Sequence, residues 1–254
     1  VEEPVIPNAG EDFELCLNDN PITLSATPGG GVWQSTDQLT AGGEFTPNVA
    51  DTFNLVYDLG EGNCLTHDTV LAIVNPLPEV EAGEDFVLCL NSADTLLSAM
   101  TPTSDGTGVW SSSNGGVINP TGNFSASSSG EGSYDLIYTF TDTNSCVSSD
   151  VTEATVQPLP EINVYNADTT ICNQPISVQL NATPVGGMWF GPNITAAGEF
   201  TPTSVGTFEV YYTYSLGTGC ADTASKQIIV EEPVIPNAGE DFELCLNDNP
   251  ITLS

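Results

Sequence analysis

Residues 1–25 read VEEPVIPNAGEDFELCLNDNPITLS, and residues 230–254 read the same letter for letter. The offset is 230 − 1 = 229 residues. Such identity points to duplication of whole units, so the chain reads as one 229-residue period of a tandem array followed by the opening of the next. Repeats at this scale set the architecture before any local reading begins.

A second, degenerate repeat lies inside the period. Cys16, Trp33, Phe45, Phe53 and Cys64 recur as Cys89, Trp110, Phe124, Tyr134 and Cys146, then as Cys172, Trp189, Phe200, Phe208 and Cys220. The Cys-to-Cys separations are 48, 57 and 48 (64 − 16, 146 − 89, 220 − 172). The middle copy places its extra residues in 102–108, 114–122 and 127–132, which are rich in Gly, Ser and Asn. Such insertions belong in surface loops, so the copies should share one core. This gives three domains, 1–75, 76–157 (longer loops) and 158–230, with 231–254 as the start of the next period. Each has roughly 75–80 residues, above the size at which a domain needs outside help to fold.

Proline-marked joints open each copy: EEPVIP at 2–7, PLPE at 76–79 and at 158–161, and EEPVIP again at 231–236. Proline fixes φ and drives its predecessor toward extended backbone, so short stiff joints are expected. Behind each joint, Gly10 and Gly83 stand six residues before the cysteine, where the third copy has Asn166. That exchange implies backbone with positive φ. Four before the cysteine stand Asp12, Asp85 and Asp168. Two readings apply: an Asx side chain holding the turn, or a calcium ligand at the joint, with Glu11, Asp12, Glu84 and Asp85 as candidates.

Short alternating segments come next, among them 53–58, 134–140 and 207–214, in which Phe53, Leu55 and Tyr57 share a face. They are rich in Val, Ile, Thr, Tyr and Phe and are separated by Gly, Asn and Pro, the signature of strands. Seven or so strands per copy, a Trp between the cysteines and a Tyr shortly before the second Cys predict an all-β tandem array of immunoglobulin-like β-sandwiches. Trp33, Trp110 and Trp189 are expected in the cores. Cys16 precedes the second strand and Cys64 stands in a turn, so a bridge there would be peripheral.

The cysteines predict oxidation. Six make three pairs, Cys16–Cys64, Cys89–Cys146 and Cys172–Cys220, one per domain; Cys245 repeats Cys16, with its partner beyond residue 254. A bridge across copies is the alternative. There is no CxxC pair, which thiolate zinc sites usually need. Disulfides place the chain outside the cytosol, and the stretch is expected to be internal to something secreted.

Charge removes several partners. With 34 acidic residues, one Lys, no Arg and one His, the formal charge is −33. Nucleic-acid binding draws its affinity from Lys and Arg on phosphates, and an anionic membrane surface repels such a chain. His67, the single histidine, stands beside Asp68 near a turn without counterparts in the other copies. Catalysis needs a nucleophile, base and orienter that converge, and nothing here predicts an enzyme.

The phrases A-G-E-D-F-x-L-C, G-x-W, G-x-F and a Tyr before the second Cys resemble the tandem Ig-like and PKD-like repeats of giant secreted surface adhesins of Bacteroidetes, the gliding-motility adhesins among them. The resemblance covers all three copies and implies export and display at the cell surface. Asp-Thr pairs ending in Thr69, Thr95, Thr169 and Thr223 resemble the O-glycosylation signal of such proteins, although Asp-Thr is also common at strand starts. Three function classes emerge: the stiff shaft of a long surface fibre built from further copies of the repeat, a module binding a carbohydrate or protein ligand at the cell surface through the middle domain's loops, and a laterally assembling filament.

Overall fold

Period-two patterning produces the longest strands of the computed structural model, which describes residues 4–100, 102, 105–165 and 170–237, with 241, 243 and 246. The chain divides into two units, residues 1–158 and 159–254.

The first unit holds two lobes. In the first, β1 (Phe13–Cys16), β6 (Thr66–Asn75), β5 (Thr52–Leu59) and β3 (Val32–Trp33) form one sheet in that order, and β2 (Ile22–Thr23) pairs with β4 (Glu44–Phe45) to face it. The second lobe repeats this with β7 (Phe86–Cys89), β12 (Val147–Gln157), β11 (Gly132–Asp142) and β9 (Gly106–Ser112), against β8 (Thr95–Leu96) and β10 (Asn123–Phe124). One helical turn, α1 (Ala126–Ser129), occupies an inserted loop. In the second unit, β13 (Asn163–Val164) pairs with β16 (Ala182–Thr183) and β15 (Val178–Gln179) with β18 (Glu199–Phe200). Its main sheet runs β14 (Thr170–Cys172), β20 (Ala221–Glu231), β19 (Gly206–Ser215), β17 (Met188–Phe190). A long terminal hairpin, a Trp-bearing strand on one side and a first strand parallel to the last on the other make each lobe an immunoglobulin-like β-sandwich.

Each core is built on the same residues. Phe45, Phe124 and Phe200 are fully buried, and Trp33, Trp110 and Trp189 are buried as the sequence predicts. Each Trp ring lies against a Tyr of the neighbouring strand: Trp33–Tyr57 at 5.3 Å, Trp110–Tyr138 at 5.2 Å and Trp189–Tyr212 at 5.0 Å between centroids. Alternation along the hairpin buries Leu55 and Tyr57, then Leu136 and Tyr138, then Val210 and Tyr212. Burial of side chains this size stabilises by about 1.5–3 kcal/mol each.

Two motif glycines are explained by the Trp–Tyr pair. In G-x-F, Gly43, Gly122 and Gly198 have φ of +91°, +93° and +90°. A Cβ there would lie 2.7–2.8 Å from the nearest Trp ring atom. In G-x-W, a Cβ on Gly31 would lie 2.7 Å from Tyr57 Cζ, and the Gly31 N–H donates to Tyr57 Oη at 2.8 Å. Gly187 repeats that bond to Tyr212 Oη at 2.7 Å. Only a missing side chain admits these approaches.

Candidate functional site

Register decides where each cysteine lies. Because β1 runs parallel to β6, Cys16 stands opposite Asn75, the last residue of the lobe's final strand. Likewise Cys89 stands opposite Gln157 and Cys172 opposite Glu231. The next residue along locks each register: Leu17, Leu90 and Asn173 donate their N–H to the carbonyls of Asn75, Gln157 and Glu231. The second cysteine of each set lies at the other end of that same strand. Cys64 closes a 3-10 turn just before Thr66, Cys146 directly precedes Val147, and Cys220 directly precedes Ala221. We call these the trailing-end and leading-end cysteines.

The two cysteines of one lobe are therefore a whole strand apart. β6 has 10 residues, which at ~3.3 Å per residue is about 30 Å. A disulfide needs Cα atoms within about 7 Å. The expected bridges Cys16–Cys64, Cys89–Cys146 and Cys172–Cys220 cannot close, and one disulfide within each sandwich is not the arrangement observed. Instead Cys16 is bonded to Cys146, 130 residues away, with a Cα–Cα distance of 5.5 Å. The trailing end of the first lobe is thus tied covalently to the leading end of the second. Cys89 and Cys220 are disulfide-bonded as well, while Cys64 and Cys172 are exposed free thiols. Cys245 lies outside the described residues. For Cys16 the alternative of a bridge across copies is the one realised, this trailing-end cysteine reaching the second lobe's hairpin turn.

The turn that carries Cys146 is held by Asp142. Asp142 Oδ1 accepts the N–H groups of Asn144 at 2.9 Å and of Cys146 at 2.8 Å. The backbone of Asp142 pairs with Cys146 and Ser145 as well. Cys146 is 0 % exposed, and Cys220 is 1 % exposed.

Two of the four acidic candidates, Asp12 and Asp85, hold backbone. Asp12 Oδ1 accepts the Leu71 N–H and Asp85 Oδ1 that of Glu153, both at 2.8 Å. These are cross-strand clamps onto the last strand, 59 and 68 residues away, so Asp12 and Asp85 do not make the local Asx turn the spacing suggests. Gly10 and Gly83 do have positive φ, +105° and +97°; Asn166 and Asp168 lie outside the described residues. Glu11 and Glu84 are exposed. Among the described residues, no three His, Cys, Asp or Glu side chains gather in a way that could hold a metal ion.

A further clamp is not evident from sequence order. Asp68 Oδ2 accepts the Ala9 N–H at 2.8 Å, and Asp150 Oδ2 accepts that of Ala82 at 2.7 Å. The bonds from Ala9 and Thr69 hold the Asp68 carboxyl below its usual value of 3.8, with a smaller contribution from His67. The A-G-E-D motif and the Asp shortly after the leading-end cysteine are the signal, visible only once the first and last strands are known to be neighbours. His67 itself is exposed. Of the Asp-Thr threonines, Thr69 and Thr223 are exposed and Thr95 is half-buried; Thr169 lies outside the described residues. No helix among the described residues is long and apolar enough to cross a membrane.

No family model matches the chain, and no curated protein matches it. Solved structures that the chain matches include Drosophila N-cadherin EC1-4, at 12 % identity and TM-score 0.30, over 89 % of this chain and 76 % of that one. Mouse protocadherin-24 EC1-3 is 12 % identical with TM-score 0.31, over 89 % and 98 %. The N-terminal eight Ig domains of Down syndrome cell adhesion molecule are 13 % identical with TM-score 0.34, over 90 % of this chain and 36 % of that one.

Proposed function

We propose that this chain is a non-enzymatic, extracellular structural repeat: a segment of the shaft of a long surface fibre or adhesin, whose neighbours in the chain are further copies of itself. The Cys16–Cys146 bridge carries this reading. A disulfide that joins two sandwiches adds nothing to a catalytic or ligand-binding core, but it transmits tension across a joint without loading the hydrophobic contacts on either side. Three supports agree with it. Disulfides belong to oxidising compartments outside the cytosol. The −33 charge keeps copies of such a chain apart and soluble. The 25-residue identity between the two ends of the sequence suits a shaft, which can be copied, better than a binding tip, which is usually unique.

Single-molecule pulling tests the reading. The 130-residue separation between Cys16 and Cys146 hides about 430–470 Å of chain at 3.3–3.6 Å per residue. The fully extended length should be shorter by at least that amount without reductant than with it. Equal lengths in both conditions would rule out a tension-bearing disulfide and with it this role.

A further inference from the structure

The two free thiols among the described residues are complementary. Cys172 is a trailing-end cysteine with no following lobe in this sequence to bond, and Cys64 is a leading-end cysteine with no preceding one. The joint after Cys172 also matches the joint already bridged. From Asn75, opposite Cys16, to the next trailing-end cysteine, Cys89, is 89 − 75 = 14 residues; from Glu231, opposite Cys172, to Cys245 is again 245 − 231 = 14. Past that joint the sequence copies the first lobe's opening, Val230–Ser254 repeating Val1–Ser25.

We propose that Cys172 forms a disulfide with the Cys64 of the next period, so that covalent clamping continues across the boundary between periods. This inference rests on the shaft reading. The separation would be 64 + 229 − 172 = 121 residues. It falls nine short of the 130 seen for Cys16–Cys146, and nine is the difference between the 57- and 48-residue inter-cysteine stretches (146 − 89 and 64 − 16). The partner is therefore a second copy of this repeat in the same chain, and its chemistry is a thiol in a solvent-exposed turn. The exposed Cys64 turn, Gly62–Cys64, has no side-chain cap, so it can adjust to an incoming lobe.

Bond formation needs an oxidant of the disulfide class, either a disulfide-bearing oxidoreductase or a small-molecule disulfide. The thiolate of one cysteine attacks a sulfur of that disulfide and expels one thiolate, leaving a mixed disulfide. The second cysteine's thiolate then attacks the protein sulfur and expels the other half. One S–S bond forms and one breaks; two electrons pass from the protein thiols to the oxidant, and the two protons end on its two thiols.

The test compares the 254-residue chain with one carrying an additional period, residues 1–229 placed ahead of 1–254. Both are oxidised with glutathione disulfide, denatured, alkylated and digested. The added period should add no alkylatable thiol, and peptides bearing Cys172 and Cys64 should appear cross-linked in material that runs as a monomer on a non-reducing gel. Cys64→Ser in the second period should release one thiol, in the peptide bearing Cys172. Two extra alkylated thiols per added period would overturn the proposal, as would a Cys64–Cys172 link found only in disulfide-bonded multimers. Negative-stain images of the same samples keep the two readings apart. Threads that lengthen with the added period while two thiols are gained would sink the clamp and leave the shaft; globular particles would sink the shaft.

Discussion

The terminal hairpins of the first and second lobes occupy the same place in the same fold and end in different chemistry. In the second, Asp142 gathers two backbone N–H groups and Cys146 is buried in a disulfide. In the first, Gly60 and Gly62 (φ +90° and +59°) shape an uncapped turn and Cys64 is an exposed thiol. The sandwiches beneath them match at Trp33 and Trp110, Phe45 and Phe124, and Tyr57 and Tyr138. What varies is the chemistry of the turn, a bridged cysteine in one lobe and an exposed thiol in the other, on cores that repeat.

The sharpest way to break this comparison is to substitute the two cysteines in turn. Cys146→Ser should lower the unfolding free energy of the first unit by about 5 kcal/mol, from chain-entropy considerations for a loop of this length. Cys64→Ser should stay within about 0.5 kcal/mol of the parent, as for an exposed position. Chemical denaturation reads both; equal effects would mean that the bridge contributes no stability.

Core truncation should erase the contrast. Trp33→Ala and Trp110→Ala should each cost about 3–5 kcal/mol, and followed by the same denaturation they should agree within about 1 kcal/mol. A large asymmetry would show that the lobes differ beneath their turns too.

The turns themselves come next. Asp142→Ala removes the acceptor of two N–H groups and should cost about 1–3 kcal/mol, whereas Glu61→Ala, at an uncapped turn, should be nearly neutral. Amide exchange at Cys146 should accelerate in the first variant; unchanged exchange would remove Asp142 from the account.

The smallest effect is on acid sensitivity. The Asp68 carboxyl titrates below its usual value of 3.8 in the folded chain. Its contribution to stability is therefore complete above that pH and is lost as pH falls through the lower folded value. Unfolding midpoints of the parent and of Asp68→Asn should differ above pH 3.8 and converge on further acidification. A constant offset at every pH would assign the effect to packing.

Much of this was legible in the residues. Repetition revealed the lobes, period-two alternation revealed Leu55, Tyr57 and their counterparts as core, and the spacing around Trp33, Trp110 and Trp189 marked those rings as buried. Local patterns suffice there, because a strand face and a Trp-sized hole are set by neighbours in sequence. The cysteine partners were legible only as a set. Order along the chain suggested closure within each copy, and nothing local says that the strand ending at Cys16 runs parallel to the strand after Cys64.

Sequence by itself thus determined the all-β class, the internal repetition and the core. Tertiary structure decided the pairing, through one physical fact: a parallel first strand puts one cysteine at the far end of the ten-residue β6 and the other at its start. About 30 Å of extended backbone stands between two sulfurs that sequence order would have joined, and Cys16 is bonded to the second lobe instead.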